Sequence, residues 1–160
     1  MNKKIIAILA LLIVAVSITA VSAFDLGDIL GNDGNKTANA GKTVDIGGIK
    51  FNIPAGFEED NSNTSKEIEA SFKKLGLNSS AKLFIKDQNG IGIYVANYTG
   101  LGLNSDEVLN SFSGNSTTIN KIPGKLDSEN GVYVFTYVKD GCLILVSVTD
   151  KNLLNNVVIA

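Results

Sequence analysis

The chain contains no histidine, no tryptophan and no arginine, so all 14 of its basic residues are lysines. Histidine is the commonest general base and metal ligand near neutral pH, and arginine is the usual bidentate partner of phosphate and carboxylate groups. These absences exclude histidine-based catalytic triads, histidine zinc sites and arginine-based phosphate recognition. The net charge of −2 offers no basic surface to neutralise the phosphates of a nucleic acid. We therefore expect no nucleic-acid partner.

Cysteine is also scarce: Cys142 is the only one, so the chain forms no intrachain disulfide. A predicted hairpin places Lys139 opposite this thiol, and a nearby lysine lowers a thiol pKa. A cysteine nucleophile also needs a general base, and without histidine we interpret Cys142 as a small apolar strand residue.

The carboxylates at 58–60 lack the alternating ligands of a calcium loop and indicate a solvated acidic turn. The sequence predicts no catalytic residue, no metal site and no cofactor.

The first 23 residues have the composition of an export signal. Lys3 and Lys4 precede an unbroken apolar run from residue 5 to 16, and small residues up to Ala23 provide a cleavage site. An uncleaved anchor is the alternative, because residues 5–24 are uncharged over the length that a helix needs to cross a bilayer. In both cases the positive-inside rule places the remaining chain outside. We predict an extracytoplasmic protein, either secreted or anchored to the cytoplasmic membrane by residues 5–24, with no other membrane contact.

Residues 24–42 are rich in glycine and asparagine and show no hydrophobic period, which indicates a flexible spacer. The remaining residues, 43–160, have the length of one ordinary domain. Hairpins are predicted at three turn dipeptides that tolerate positive φ, namely Gly47-Gly48, Asn89-Gly90 and Asp140-Gly141.

The third hairpin, residues 132–149, is predicted at the centre of the sheet. Pairing Lys139 with Cys142 places aromatic residues opposite β-branched ones on one face. That face carries Tyr133, Phe135 and Tyr137 opposite Val148, Val146 and Ile144. We expect it to lie under helices.

Helix signals occur at three places. Thr64 and Glu67 form a capping box before a helix that ends at Gly76, and Asn104 and Glu107 form a second one. Asp150 is positioned to cap a last helix, while Pro123 indicates an edge strand. The predicted fold class is α+β: an antiparallel sheet built from three hairpins, with two or three short helices packed on it, behind an N-terminal apolar export or anchor helix.

The second hairpin carries large apolar side chains on both faces. We group five residues on the face opposite the first predicted helix: Phe84, Ile93, Val95, Leu143 and Leu145. A helix carrying Val108, Leu109 and Phe112 would cover this stripe in a three-layer sandwich. Left exposed, the stripe would be an apolar patch that binds a partner protein. The apolar content favours coverage.

Five N-x-Ser/Thr sequons occur, about twice the number that the composition predicts by chance. An exported chain accepts glycan on exposed loops, so Asn35, Asn63, Asn78 and Asn115 are candidate glycosylation sites. Asn97 falls inside a predicted strand and is excluded from these candidates.

Three motifs occur in a fixed order: GIKFNIPAGF at 48–57, TINKIPGKL at 118–126, and GVYVFTYVKDGCLILVSVTD at 131–150. In this order, with the intervening helices, they resemble the Mog1/PsbP-like family of α/β/α sandwiches over residues 43–160. Lys121 stands where that family's pattern has glycine, and the last helix is short. The resemblance implies a sandwich fold and a non-enzymatic role, such as an accessory subunit or binding module. It carries over no site residue.

These observations favour an exported, non-catalytic surface or accessory binding module, whose partner is an unknown protein or cell-surface component. The alternative is a small extracytoplasmic hydrolase that uses carboxylates. Such an enzyme requires two carboxylates in a shared pocket, one of them buried enough to raise its pKa.

Overall fold

The computed structural model describes residues 41–61, 63–74 and 76–160. The predicted export segment, the spacer up to residue 40 and the sequon at Asn35 lie outside these residues. The strands are β1 Lys42–Ile46, β2 Ile49–Ile53, β3 Glu58–Glu59, β4 Asn78–Lys86, β5 Asn89–Asn97, β6 Asn115–Ile119, β7 Ile122–Glu129, β8 Val132–Lys139 and β9 Cys142–Val148. The helices are α1 Thr64–Lys74, α2 Ser105–Asn110 and α3 Leu153–Val157, with a 3₁₀ turn at Thr99–Leu101.

Strands β3 to β9 form one antiparallel sheet in the order β3-β4-β5-β9-β8-β7-β6. The predicted hairpin of β8 and β9 contains the central strand, and its register is confirmed, because Lys139 pairs with Cys142. All seven residues of β9 are buried. A strand that is apolar on both faces has to be covered on both, which explains its central place.

The first hairpin has the predicted register, with Ile46 opposite Ile49, but it does not join the main sheet. The prediction that three hairpins build one sheet was therefore wrong. Strands β1 and β2 form a separate two-stranded sheet whose apolar side packs flat on the large one. A hairpin with apolar side chains on only one face gains most by burying that face as a covering layer.

One other turn and the position of Pro123 differ from the sequence prediction. The second hairpin turns at Asp87-Gln88, since Lys86 pairs with Asn89, and Asp87 takes the positive φ of 51°. Each residue of β4 therefore pairs with a residue of β5 that lies four positions earlier than predicted. Because four is an even number, each side chain stays on its predicted face. Pro123 was predicted on an edge strand but lies in β7, one strand from the edge, beyond the last residue that pairs with β8. Its missing N–H therefore costs no bond of that ladder.

Two cores flank the main sheet. The aromatic face of β8 packs under the β1–β2 hairpin and α3. The helices α1 and α2 cover the opposite face, which carries Leu83, Tyr94, Leu143 and Leu145. The expectation that helices cover the aromatic face is thus correct only for α3. The result is a three-layer arrangement with the sheet in the middle.

Helix ends follow the sequence signals at α1 and α2, where the structure describes them, but not at α3. The prediction that Asp150 caps α3 was wrong, because the N-cap is Asn152, which makes no side-chain capping bond, and the Asp150 carboxylate accepts the backbone N–H and the side-chain amide of Asn152. Both hydrogen bonds of the Asn104–Glu107 capping box are present. Helix α1 ends in a Schellman motif, in which Leu77 donates to the Phe72 carbonyl and Gly76 to that of Lys73. The Thr64 side chain and Leu75 lie outside the description.

The predicted acidic turn at 58–60 is instead partly the edge strand β3. Its Glu58 and Glu59 pair with Ile85 and Phe84 of β4. The Glu59 carboxylate contacts Lys82 Nζ at 2.8 Å across the strands. The pair is about one-third exposed, so solvent screens it, and it mainly marks this edge as charged.

Candidate functional site

The five residues predicted to form one apolar stripe lie on two opposite faces, and all five are buried. Their grouping was wrong, because Ile93 pairs with Val146 and thus shares the aromatic face, whereas Leu145 pairs with Tyr94 on the helix face. Phe84, Ile93 and Val95 belong to the core under the β1–β2 hairpin. Leu143 and Leu145 belong to the core under α1 and α2. The prediction that these side chains are covered was correct, but the β1–β2 hairpin covers one of the two faces and helices cover the other.

Two of the surface cavities formed by the described residues have carboxylates in their lining. The larger cavity, about 680 Å³, lies along α2 and is lined by Asp106 and Glu107 among others. The Glu107 carboxylate is engaged in the capping box. The smaller, about 330 Å³, lies between α1 and β4, where Glu69 accepts the backbone N–H of Ala81 at 2.8 Å. Glu107 and Glu69 thus serve helix capping and helix-to-sheet docking. Within the described ranges, no group of three or more Asp, Glu or Cys side chains is placed to hold a metal ion.

Cys142 lies buried at the start of β9. Burial raises the pKa of this thiol, and the Asp140 carboxylate raises it further. Both effects favour the protonated thiol over the nucleophilic thiolate. Lys139 pairs with Cys142 as predicted but is not among the groups that shift this pKa.

The two edges of the main sheet differ in chemistry. Strand β3 is two residues long and presents two glutamates. Strand β6 at the other edge has the sequence NSTTI, without charge, proline or lysine. Among the described residues its only strand partner is β7. Sequence reasoning predicted an edge strand in this part of the chain but missed the turn at Asn120-Lys121 that separates β6 from β7, because this is not a standard hairpin dipeptide.

The described sequon asparagines are exposed and lie at element ends. Asn63 precedes α1, Asn78 begins β4 and Asn115 begins β6. Asn97 is the last residue of β5 and is also exposed, directly opposite Asn78. The strand prediction for Asn97 was correct, but its side chain is as accessible as those of the chosen candidates.

Comparison of the chain with protein-family models, with curated proteins and with solved structures finds no match. None of the helices that the structure describes combines the length and apolarity needed to span a membrane.

Proposed function

We propose that the protein is an exported, non-catalytic binding module that receives an extended, uncharged segment of a partner protein on the free edge of β6. The observation that carries the proposal is this open, uncharged edge. An extended peptide that adds to a sheet edge gains main-chain hydrogen bonds along its length.

The register of β6 identifies the groups that would bind. A two-residue turn joins Ile119 to Ile122, so these two residues form a hydrogen-bonded pair. By alternation, Thr117 and Asn115 are also hydrogen-bonded to β7. The alternation of an antiparallel ladder then directs the N–H and C=O groups of Ser116 and Thr118 toward the open side. Both side chains are exposed, so no described residue covers that face of β6.

The opposite edge supports this assignment by contrast. Charged and very short edge strands are common protection against strand addition, and β3 has both features. Strand β6 has five residues and no such protection. An uncharged occupant suits it, since a charged strand would find no opposite charge along NSTTI.

Export remains part of the proposal and rests on the N-terminal charge and apolar run of the sequence. The motif resemblance to Mog1/PsbP-like proteins supports the same class of function, a non-enzymatic accessory or binding module. The carboxylate hydrolase is the weaker proposal, because Asp106 and Glu107, which share the larger described cavity, are both exposed. In addition, Glu107 and Glu69 are engaged with backbone N–H groups.

The test is photo-crosslinking in the cells that produce the protein, with a photoreactive amino acid in place of Ser116. We expect an adduct with one partner, mapped by mass spectrometry to an extended, uncharged segment. Adding Thr118→Pro removes an outward N–H without breaking the β7 ladder, so the adduct should fall at least several-fold.

The matched control is Thr43→Pro. Thr43 is also an exposed threonine at a non-hydrogen-bonded pair of an antiparallel ladder, so its N–H points away from the partner strand. It lies in β1, outside the main sheet. It should leave the adduct unchanged. An adduct of equal yield in the Thr118→Pro protein, or none in the parent, would contradict the proposal.

A further inference from the structure

We propose that Asn97 is an acceptor of an N-linked glycan. The inference rests on the proposed export, because glycan transfer of this kind takes place on the outer side of a membrane. It adds to that proposal a modification at a position which the sequence pattern argues against.

The first observation is the place of Asn97 in the fold. It is the last residue of β5, its side chain is exposed, and the chain leaves the sheet through the 3₁₀ turn at Thr99–Leu101. A strand interior would hide the acceptor among its neighbours, but a strand end followed by a turn presents it. The objection that Asn97 lies in a strand therefore does not apply to its side chain.

The second observation is the internal geometry of the sequon Asn97-Tyr98-Thr99. Asn97 Oδ1 accepts hydrogen bonds from Thr99 Oγ1 at 2.6 Å and from the Thr99 backbone N–H at 3.0 Å. At Asn78 and Asn115, by contrast, no described hydrogen bond joins the asparagine to the hydroxyl two residues later. Two hydrogen bonds on the amide oxygen make the Nδ2 protons more acidic, and Nδ2 donates to no described group.

The reaction follows from this arrangement. Nδ2 forms a bond to the anomeric carbon of an oligosaccharide carried on a polyprenyl phosphate, which is the co-reactant. The bond between that carbon and the phosphate oxygen breaks, and the oxygen leaves with the electron pair. Nδ2 loses one proton to a base of the transferring enzyme. The product is a glycan linked through the Asn97 amide.

The third observation is the anchoring of the residues around the acceptor. The Tyr98 side chain is buried, its backbone N–H donates to the Gly141 carbonyl at 3.2 Å, and its hydroxyl is 2.8 Å from Ser105 Oγ. The middle residue of the sequon thus faces the core while Asn97 and Thr99 face solvent. The sequon is fixed with both of its reactive side chains outward.

The experiment uses the full chain recovered from the exported fraction of its own cells. Electron-transfer fragmentation, which preserves glycans, should locate a sugar on Asn97. The variants N97Q and T99A should each lose the mass of one glycan, whereas T99S, which keeps the hydroxyl, should retain it at equal or reduced occupancy.

The matched control is N89Q. Asn89 is an exposed asparagine at the other end of the same strand, but it is followed by Gly90 and Ile91 and forms no sequon. This variant should keep the parent mass apart from the substitution. An exported protein with unmodified Asn97 overturns this inference alone, while protein found only in the cytoplasm overturns the proposed export as well.

Discussion

Two glycines of the main sheet lie beneath aromatic side chains. A Cβ on Gly124 would lie 2.6 Å from the Phe135 ring, and one on Gly92 would lie 2.7 Å from the Tyr94 hydroxyl. Because glycine has no side chain, the ring of Phe135 fits over Gly124 and the ring of Tyr94 fits over Gly92 on the same face of the sheet. The sequence shows a glycine inside each of these two strands, and a glycine inside a strand is typical of a close approach by another group. It does not show which side chain makes that approach.

The Tyr94 hydroxyl is the buried polar group with the clearest consequence. Ser147 Oγ lies beside it but donates to the Gly92 carbonyl at 3.3 Å, leaving the Tyr94 hydroxyl without a well-formed hydrogen bond. Burial raises the pKa of Tyr94 to about 12, against the smaller opposing effect of Ser147. In the unfolded chain the same group loses its proton near pH 10.

We therefore expect the free energy of unfolding to fall as the pH rises from 10 to 12, because the native state then binds more protons than the unfolded state. The contribution of Tyr94 is about 2 to 3 kcal/mol. The Y94F variant should differ from the parent by less than about 1 kcal/mol at pH 7. It should lose less stability above pH 10 in urea titrations, and parallel pH curves for both proteins would contradict this. Tyr137, whose pKa is also raised by burial, is present in both proteins and cancels in the comparison.

The turns between the last four strands recur every ten residues, at Asn120-Lys121, Asn130-Gly131 and Asp140-Gly141. All six turn residues have positive φ. Only the third turn was predicted, because the strands on both sides of it are apolar. The strand between the first two, β7, is largely polar and so lacks the hydrophobic alternation by which a strand is recognised.

Asn120 also connects two elements. Its Nδ2 donates to the carbonyls of Asn155 and Val158, at 2.7 and 2.8 Å, at the C-terminal end of α3. We expect Asn120→Gly to keep the turn, which needs positive φ, but to lose about 1 to 2 kcal/mol of stability with these two bonds. Chemical denaturation measures this difference.

Asn130→Gly is the control for that variant. Asn130 has a φ of 51° in the equivalent turn, and its side chain makes no hydrogen bond that the structure describes. The glycine there changes backbone freedom alone. Equal effects of the two substitutions would show that the contacts of Asn120 with α3 contribute nothing.

At the scale of the whole molecule, local pattern predicted the hairpin registers of β1–β2 and β8–β9 and the cap of α2. It did not predict the strand order or the covering layers, because these depend on contacts between residues far apart in the chain. Val95 illustrates the limit: alternation within the second hairpin predicts that Phe84 and Ile93 share its face. It predicts neither the residues of β9 on that face nor the packing of Gly47 of the first hairpin against Val95. A Cβ on Gly47 would lie 3.0 Å from Val95 Cγ1.

The variant V95K tests the docking of the β1–β2 hairpin on the sheet. Val95 is 2% exposed, so the lysine would place an unpaired charge in the core at a cost of several kcal/mol. We expect the cooperative thermal transition to be lost or strongly lowered. N89K, on the exposed first residue of the same strand, should melt like the parent. A V95K protein of parental stability would mean that the hairpin does not cover this face.

The separate position of the first hairpin also decides how the molecule responds to tension. The chain enters the described structure at Gly41 and passes directly into β1, which shares no ladder with the seven-stranded sheet. A pull from that end loads the packing of the hairpin and its bridge from Phe51 to Val158 first. The hairpin would then peel away as one unit while the sheet keeps its hydrogen bonds. A pull applied at Gly41 would therefore lengthen the molecule by the length of the hairpin and leave the β6 edge intact.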